Sequence, residues 1–354
     1  MSYFTIVALF VAVLSLSLTG YWLLLQKKIF QFLKKKNTGA ERWASQSKPI
    51  FGGVIFYLSF LFGIVISLFL VDFSLISSKY VGVLIVCVSI SFFMGLIDDL
   101  NNQGPLYKFL IQIACGIILI AAGMHIQTSD NIFINYGITI LWVTGIMNSI
   151  NMLDNMDGIT GSVSAIILLT IIGIIGFSPT PNLFDLIILI CIFASILGYM
   201  FWNWNPSKMY MGDNGSQFLG IILAIFSIQY IWNSTGNVEG INYREFLLIG
   251  LSFLLPLTDT IVVFINRLAA GKSPFVGDRN HTTHNFVYLG LTERQTAIVF
   301  IVISLLTNAA VFYIISFTDV VIHKNYYLIL ASIGVSISIC LYILSRIVKQ
   351  KNRQ

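Results

Sequence analysis

The chain has 354 residues, of which 57% are hydrophobic and only 10% charged, with a formal net charge of +5. Ordinary soluble proteins carry about 25% charged residues, so this composition excludes a water-soluble enzyme and makes lipid the solvent to reason with. The positive balance does not mark a nucleic-acid binder, because its placement follows membrane topology. The four cysteines, Cys87, Cys115, Cys191 and Cys340, lie singly inside apolar runs. They lack the pairing of a metal site and the loop position of a disulfide, and read as packing residues.

A helix that crosses a bilayer needs about 20 apolar residues. The first apolar run, 4–25, is too long for a signal-peptide core and ends in Lys27 and Lys28 without a small-residue cleavage pattern, so it is expected to stay as a helix. Further runs follow at 50–71, 80–97, 109–124, 132–150, 159–177, 184–202, 214–232, 246–266, 295–317 and 326–345. Run 109–124 is short and must borrow neighbouring residues or sit where the bilayer thins. No polar block is large enough to fold alone, and no repeat or Pro-rich linker interrupts the pattern. The predicted architecture is all-α and polytopic, one membrane domain over residues 1–354 with about 11 transmembrane helices.

Placing the Lys-rich loop 26–48 on the cytoplasmic side puts the N-terminus outside and the C-terminus in the cytoplasm. Strict alternation then makes loops 98–108, 151–158, 203–213 and 267–294 cytoplasmic as well. Of the 20 Lys and Arg, all but Lys79, Arg244 and Lys324 fall on that side. A miscounted helix would scramble this split, so the split supports both the count and the orientation. Lys34, Lys35 and Lys36 need no role beyond topology and attraction to anionic headgroups of the membrane lipid. Apart from 233–245 the outer loops are short and ordinary, and none carries evident chemistry.

The inner loops are different, with Asp, Asn, Gly and His clustered at helix ends. In MGLIDDLNNQGPLYKFLIQ the adjacent Asp98 and Asp99 close one helix and Lys108 opens the next. Two neighbouring carboxylates repel, and a divalent metal or a Lys would relieve them, although a solvated helix end would leave the same pattern. In NSINMLDNMDGITGS the spacing of Asn148, Asn151, Asp154 and Asp157 predicts a polar stripe on one helix face, with Gly158 and Gly161 allowing a turn or close approach. Such a stripe is costly in a membrane and needs partners. In FWNWNPSKMYMGDNGSQFLG, residues Gly212 to Ser216 precede an apolar helix whose free N–H groups suit phosphate. Asp213 or Ser216 could serve there as an N-cap, and Asp213 could instead hold Mg²⁺.

The longest inner loop joins Lys272, Asp278, Arg279, His281 and His284. Arg and Lys suit phosphate oxygens, while zinc is disfavoured because neither Cys nor further His lies nearby. Asp259, inside the preceding helix, must face the protein interior with a partner, for which Arg267 or a loop Lys is available. In SKPIFGG, Lys48 stands at the mouth of the second helix.

The ordered set KPxxGG, DD with a downstream KF, NxxNxxDNxDG, NxxPxxxxMGDxGS, and DT with DRxHxxH resembles the polyprenyl-phosphate N-acetylhexosamine-1-phosphate transferases, glycosyltransferase family 4, over about residues 48–295. The resemblance implies a bacterial inner-membrane enzyme whose cytoplasmic site uses Mg²⁺, or Mn²⁺ in its place. Its implied substrates are a UDP-N-acetyl amino sugar and undecaprenyl phosphate, and it releases UMP; a homodimer is compatible with it. Matched by motif, Asp98 and Asp99 are the implied catalytic pair, Asp98 handling the lipid phosphate, and Asp213 is the implied metal ligand. Lys48, Asn151, Asp154, Asp157, Asn203 and Tyr210 match the nucleotide pocket, Tyr210 standing where the family has a Phe that stacks on uracil. Lys108, Arg279, His281 and His284 match the groups that meet phosphate and sugar.

Asp259 with Thr260, and Asp278 with Arg279, resemble the branch that uses UDP-N-acetylglucosamine; the phospho-N-acetylmuramoyl-pentapeptide branch is the alternative. The sequence departs from the first branch at Thr283, where a His is usual. A secondary transporter would also be polytopic, but its ionisable groups are expected near the midplane in two related halves. Only Asp259 is deeply placed here, and no internal repeat is present.

Overall fold

The computed structural model describes residues 3–26, 48–72, 77–235, 243–271, 281–318 and 324–351. They form helices α1 (Tyr3–Gln26), α2 (Gly52–Leu70), α3 (Ser78–Asn101), α4 (Pro105–Ala121), α5 (Ile132–Leu153), α6 (Ile159–Phe177) and α7 (Leu183–Asn203). These are followed by α8 (Gly212–Ser227), α9 (Tyr243–Ser252), α10 (Leu254–Leu268), α11 (Thr282–Tyr288), α12 (Glu293–Phe317) and α13 (Lys324–Lys351). Each apolar run has its helix. Among the described residues nine helices are long and apolar enough to cross a membrane, and the bent pair α9–α10 makes a tenth. The short run is α4, 17 residues from Pro105, which at 1.5 Å per residue spans about 25 Å. Lys34, Lys35, Lys36, Lys272, Asp278 and Arg279 lie outside the described residues.

The bundle is layered around α8. Helices α7 and α8 are largely buried, whereas most of α1 and α13 is exposed, so α7 and α8 form the centre and α1 and α13 the lipid-facing edge. Phe56 of α2, Tyr199 of α7 and Phe218 of α8 interlock there as a fully buried aromatic cluster. Helices α3 and α8 approach closely because Gly95 faces the chain at Asp213; a Cβ there would lie 2.3 Å from the Asp213 carbonyl oxygen. At the opposite end the two helices are joined again through α7. The buried carboxylate of Asp185 accepts from Tyr80 of α3 (2.8 Å), from Asn182 (2.9 Å) and from Tyr230 (2.5 Å), which lies on a π-helical turn, Ile228–Trp232, that extends α8.

The run 246–266 departs from the straight helix expected of it: α9 and α10 meet at an 83° bend. Pro256 explains the break. It has no N–H to give to the carbonyl of Ser252, four residues earlier, so that carbonyl loses its helical partner. Asn308 of α12 replaces it, donating from Nδ2 to the Ser252 carbonyl (3.1 Å) while its Oδ1 accepts from the Ser252 hydroxyl (2.7 Å). Asn308→Leu is expected to leave both Ser252 groups unpaired in an apolar setting. The loss should be about 1–2 kcal/mol, read as a lower unfolding midpoint in a thermal melt of the detergent-solubilised protein.

Candidate active site

Helix α3 carries Asp98 and Asp99 to the end of the bundle and stops just beyond them, at Asn102, whose φ of 53° is left-handed. Gly104 and Pro105 then reverse the chain, Pro105 starting α4 where its missing N–H is of no consequence. The reversal brings Lys108 back beside α3. Its ammonium lies 2.7 Å from Asp98 Oδ2 and 2.6 Å from Asp213 Oδ2, bridging the two carboxylates. From α5, Asn151 Nδ2 donates to Asp213 Oδ1 (3.2 Å) and to the Ser216 hydroxyl (2.8 Å). Four helices thus place Asp98, Lys108, Asn151 and Asp213 in one cluster.

Asp99 points elsewhere. Its Oδ1 accepts from the Asp213 backbone N–H (3.0 Å), and its Oδ2 accepts from the Asn214 backbone N–H (2.9 Å) and from Asn214 Nδ2 (2.6 Å). The expected N-cap was Asp213 or Ser216; the capping carboxylate instead arrives from α3, because Met211, at the cap position, has no side-chain acceptor. The amides of α8 that suited a phosphate are therefore occupied at Asp213 and Asn214. Gly212 makes room for this, with φ of 78° and only 2.7 Å between a notional Cβ and Asp99 Oδ2.

The stripe of Asn148, Asn151, Asp154 and Asp157 divides. Helix α5 ends at Leu153 with Asp154 as its C-cap, so only Asn148 and Asn151 share a helical face. Asp157, beyond the turn, accepts from the backbone N–H (3.0 Å) and hydroxyl (2.8 Å) of Ser207. Lys48 joins the same group: its ammonium donates to the Ser207 hydroxyl (2.9 Å), lies 3.8 Å from Asp157 and sits 5.1 Å from the centre of the Tyr210 ring. Asn203 holds the backbone around them, accepting from the Gly158 N–H and donating to the Met209 carbonyl, both at 2.9 Å. A single parallel bridge, Ile50 to Tyr210, and a bond from Asn214 Nδ2 to the Ile50 carbonyl (3.3 Å) connect this cluster to Asp213.

A third group surrounds Asp259. Among the described residues its partners lie at the start of α11: His281 Nδ1 lies 2.8 Å from Asp259 Oδ2, and Thr282 donates its backbone N–H and its hydroxyl to Oδ1, both at 2.7 Å. The His281 and His284 rings meet edge to face with centres 5.5 Å apart. Thr283 is fully buried and donates to Asn155 Oδ1 (2.5 Å), tying α11 to the loop that carries Asp154 and Asp157. Ser207 and Asn155 are site residues that sequence reasoning passed over; Ser207 lay in full view in the NPSKMYMGD segment, but a serine carries no charge signal.

Beside the lysine bridge opens a cavity of about 440 Å³ between α4, α5 and α10. Lys108, Arg267, Asn148 and Asn151 are among its polar lining, and Phe109, Leu141, Leu257 and Ile261 form an apolar wall. Thr260 stiffens that wall by donating to the Ser149 hydroxyl (3.0 Å). Among the described residues no three His, Cys, Asp or Glu are arranged as a metal cage. Mg²⁺ does not need one, since it is usually held by one or two carboxylates together with water and substrate phosphates. Asp98 and Asp213 are oxygen donors of that kind, and Asp98 Oδ1 is buried without a hydrogen-bond partner.

Fold and site together define a polytopic helical membrane protein with a lysine-bridged carboxylate cluster at one end and a groove leading to it. Residues 81–231 match the model of glycosyl transferase family 4. It is 26% identical over 71% of its length to a probable undecaprenyl-phosphate N-acetylglucosaminyl 1-phosphate transferase of Bacillus subtilis, covering 69% of that protein. A phospho-N-acetylmuramoyl-pentapeptide-transferase of Staphylococcus saprophyticus is 29% identical over 73% of the chain and 83% of its own length. An undecaprenyl-phosphate alpha-N-acetylglucosaminyl 1-phosphate transferase of Escherichia coli K12 is 25% identical over 70% and 67%.

The geometry separates the two adjacent aspartates by task. Asp99→Ala removes a helix cap and is expected to lower stability by about 1–2 kcal/mol, whereas Asp98→Ala leaves the α8 amides paired and Lys108 bonded to Asp213, and is expected to be the less destabilising of the two. Thermal unfolding of the two variants side by side checks this; equal destabilisation would contradict the division.

Proposed function

We propose that the protein transfers an N-acetylhexosamine 1-phosphate, N-acetylglucosamine 1-phosphate in the first instance, from its UDP-sugar to undecaprenyl phosphate. The products are UMP and the lipid-linked pyrophosphate sugar that begins a cell-envelope polysaccharide such as teichoic acid or lipopolysaccharide. The distribution of Lys and Arg supports a site on the cytoplasmic face of a bacterial inner membrane.

The observation that carries the reading is the groove ending at Lys108. An isoprenoid chain fits its apolar wall, and a terminal phosphate would then meet the ammonium that Asp98 and Asp213 hold from behind. The nucleotide reading rests on Lys48, Asp157 and Tyr210, which stand together and connect to the Asp213 segment through Ile50 and Asn214. Asp157 can accept from the uracil or ribose, and Tyr210 can stack on the base once the diphosphate draws Lys48 away. His281 and His284, with Arg279, would serve the sugar and its phosphate.

In the reaction an oxygen of the lipid phosphate attacks the β-phosphorus. The bond from that phosphorus to the oxygen bridging the α-phosphate breaks, and UMP leaves with that oxygen and its electron pair. A phosphate monoester has a second pKa near 6, so the nucleophile is mostly ionised without help. Asp98 therefore positions Lys108 more than it removes a proton. Mg²⁺, held by Asp213 and Asp98, would neutralise charge that develops on the departing UMP. Lys108 faces the same charge from α4.

The muramoyl-pentapeptide donor is a second reading, favoured by the likeness to the Staphylococcus saprophyticus relative. Purified protein with undecaprenyl phosphate and Mg²⁺ is expected to release UMP from UDP-N-acetylglucosamine and to stop when EDTA is added. Asp213→Asn should cut kcat by about 100-fold or more without unfolding the protein. Release from UDP-N-acetylmuramoyl-pentapeptide alone would select the second reading. No turnover with any UDP-amino sugar would overturn both.

A further inference from the structure

Beneath the charged cluster, one helical turn deeper in the bundle, lies a second polar group to which the proposed chemistry assigns no role. Gln112 follows Lys108 by four residues on α4, Gln217 follows Asp213 by four on α8, and Asn148 precedes Asn151 by three on α5. Helices α4 and α8 begin at the site and α5 ends there, so each amide lies on the bundle side of its charged or polar neighbour. Gln112 Nε2 donates to Gln217 Oε1 (3.1 Å), and Asn148 Nδ2 donates to Gln112 Oε1 (2.7 Å) and to the Thr144 carbonyl (2.8 Å). The amide tier repeats the connections of the charged tier above it, α4 to α8 and α5 to the same junction.

Stability alone does not account for it. Gln112 and Gln217 are fully buried, and Gln217 Nε2 has no hydrogen-bond partner. Leu or Met would fill the same volume without placing an amide in an apolar interior. The difference between the tiers is charge. Lys108 bonds two carboxylates, and an incoming phosphate competes with both for the same ammonium, so the upper tier must change partners during turnover. Amides are poor competitors for phosphate and remain paired with one another.

We propose that Gln112, Asn148 and Gln217 are positioning residues. They form a neutral tier that keeps α4, α5 and α8 in register while Lys108 exchanges its carboxylates for phosphate. The catalytic part of this rests on the reading that Lys108 meets a substrate phosphate; the mechanical part does not.

The test uses the full-length protein in lipid nanodiscs and has two arms. Hydrogen exchange is followed in residues 105–112 and 212–217 after the upper tier is opened by Lys108→Met. This variant alone is expected to speed exchange by less than about threefold, and Lys108→Met with Gln112→Leu by more than about thirtyfold. No added effect of Gln112→Leu, or the full effect from Lys108→Met alone, overturns the proposal. Asn148→Ala, at the groove edge, replaces Gln112→Leu if that variant does not fold. In the kinetic arm, Gln217→Leu should lower kcat about tenfold while leaving the KM for UDP-N-acetylglucosamine within about twofold. A lowered melting temperature with unchanged kcat would make the tier merely structural. If wild type releases no UMP from any UDP-amino sugar, the transfer reading falls and the exchange arm alone decides the tier.

Discussion

The carboxylate of Asp99 fixes the geometry on which everything else in the site depends. By accepting the Asp213 and Asn214 amides it determines where α8 begins, and therefore where the Asp213 side chain stands relative to Asp98 and Lys108. In water such a cap would contribute modestly. Inside a membrane protein the first amides of a helix have no solvent to satisfy them, and a charged acceptor from a neighbouring helix is both cap and cross-link. Gly95 and Gly212 are the steric conditions for it, since a side chain at either position would meet Asp213 or Asp99.

The same two helices are held at their other ends by Asp185, between Tyr80 and Tyr230. A helix pair pinned at both ends cannot rotate or slide without breaking a bond to a buried carboxylate. The scaffold that carries Asp98 and Asp213 is rigid for that reason. The bend at Pro256 serves a different end: it lets α10 leave the axis of α9 and close one side of the groove, bringing Asp259 to the start of α11.

Most of the fold was legible because bilayer thickness dictates helix length and because lipid forbids unpaired backbone. Every apolar run became a helix, and the residues grouped by alternation, Asp98, Lys108, Asn151 and Asp213, meet at one end. Three things were hidden, each for a physical reason. Asp99 and Asp98 are adjacent and chemically identical, and only the helical rotation of about 100° between neighbours sends one to the α8 amides and the other to Lys108. The Asp157 partner, Ser207, and the Asp259 partners, His281 and Thr282, come from loops whose paths no local pattern encodes. Period counting alone also carried the α5 stripe past its true end at Leu153, where Asp154 takes the cap and turns the chain toward Lys48. Pro256, by contrast, was a visible signal for the break that the smooth hydropathy of 246–266 concealed.

Charge balance gives the lysine bridge its significance. Asp98, Asp99 and Asp213 contribute three carboxylates, and Lys108 is the one ammonium bonded to the cluster among the described residues. The helix start at α8 offsets Asp99, because partial positive charge is concentrated on the amides it accepts from. Among the described residues Asp98 and Asp213 share the Lys108 ammonium, and Arg267 lines the same groove. Opposite charges at bonding distance interact strongly where water is scarce, so a phosphate can take Lys108 only if another positive charge relieves the carboxylates it leaves behind. On the proposed reading Mg²⁺ supplies that charge. On that reading the site is complete only when metal and phosphate are both present.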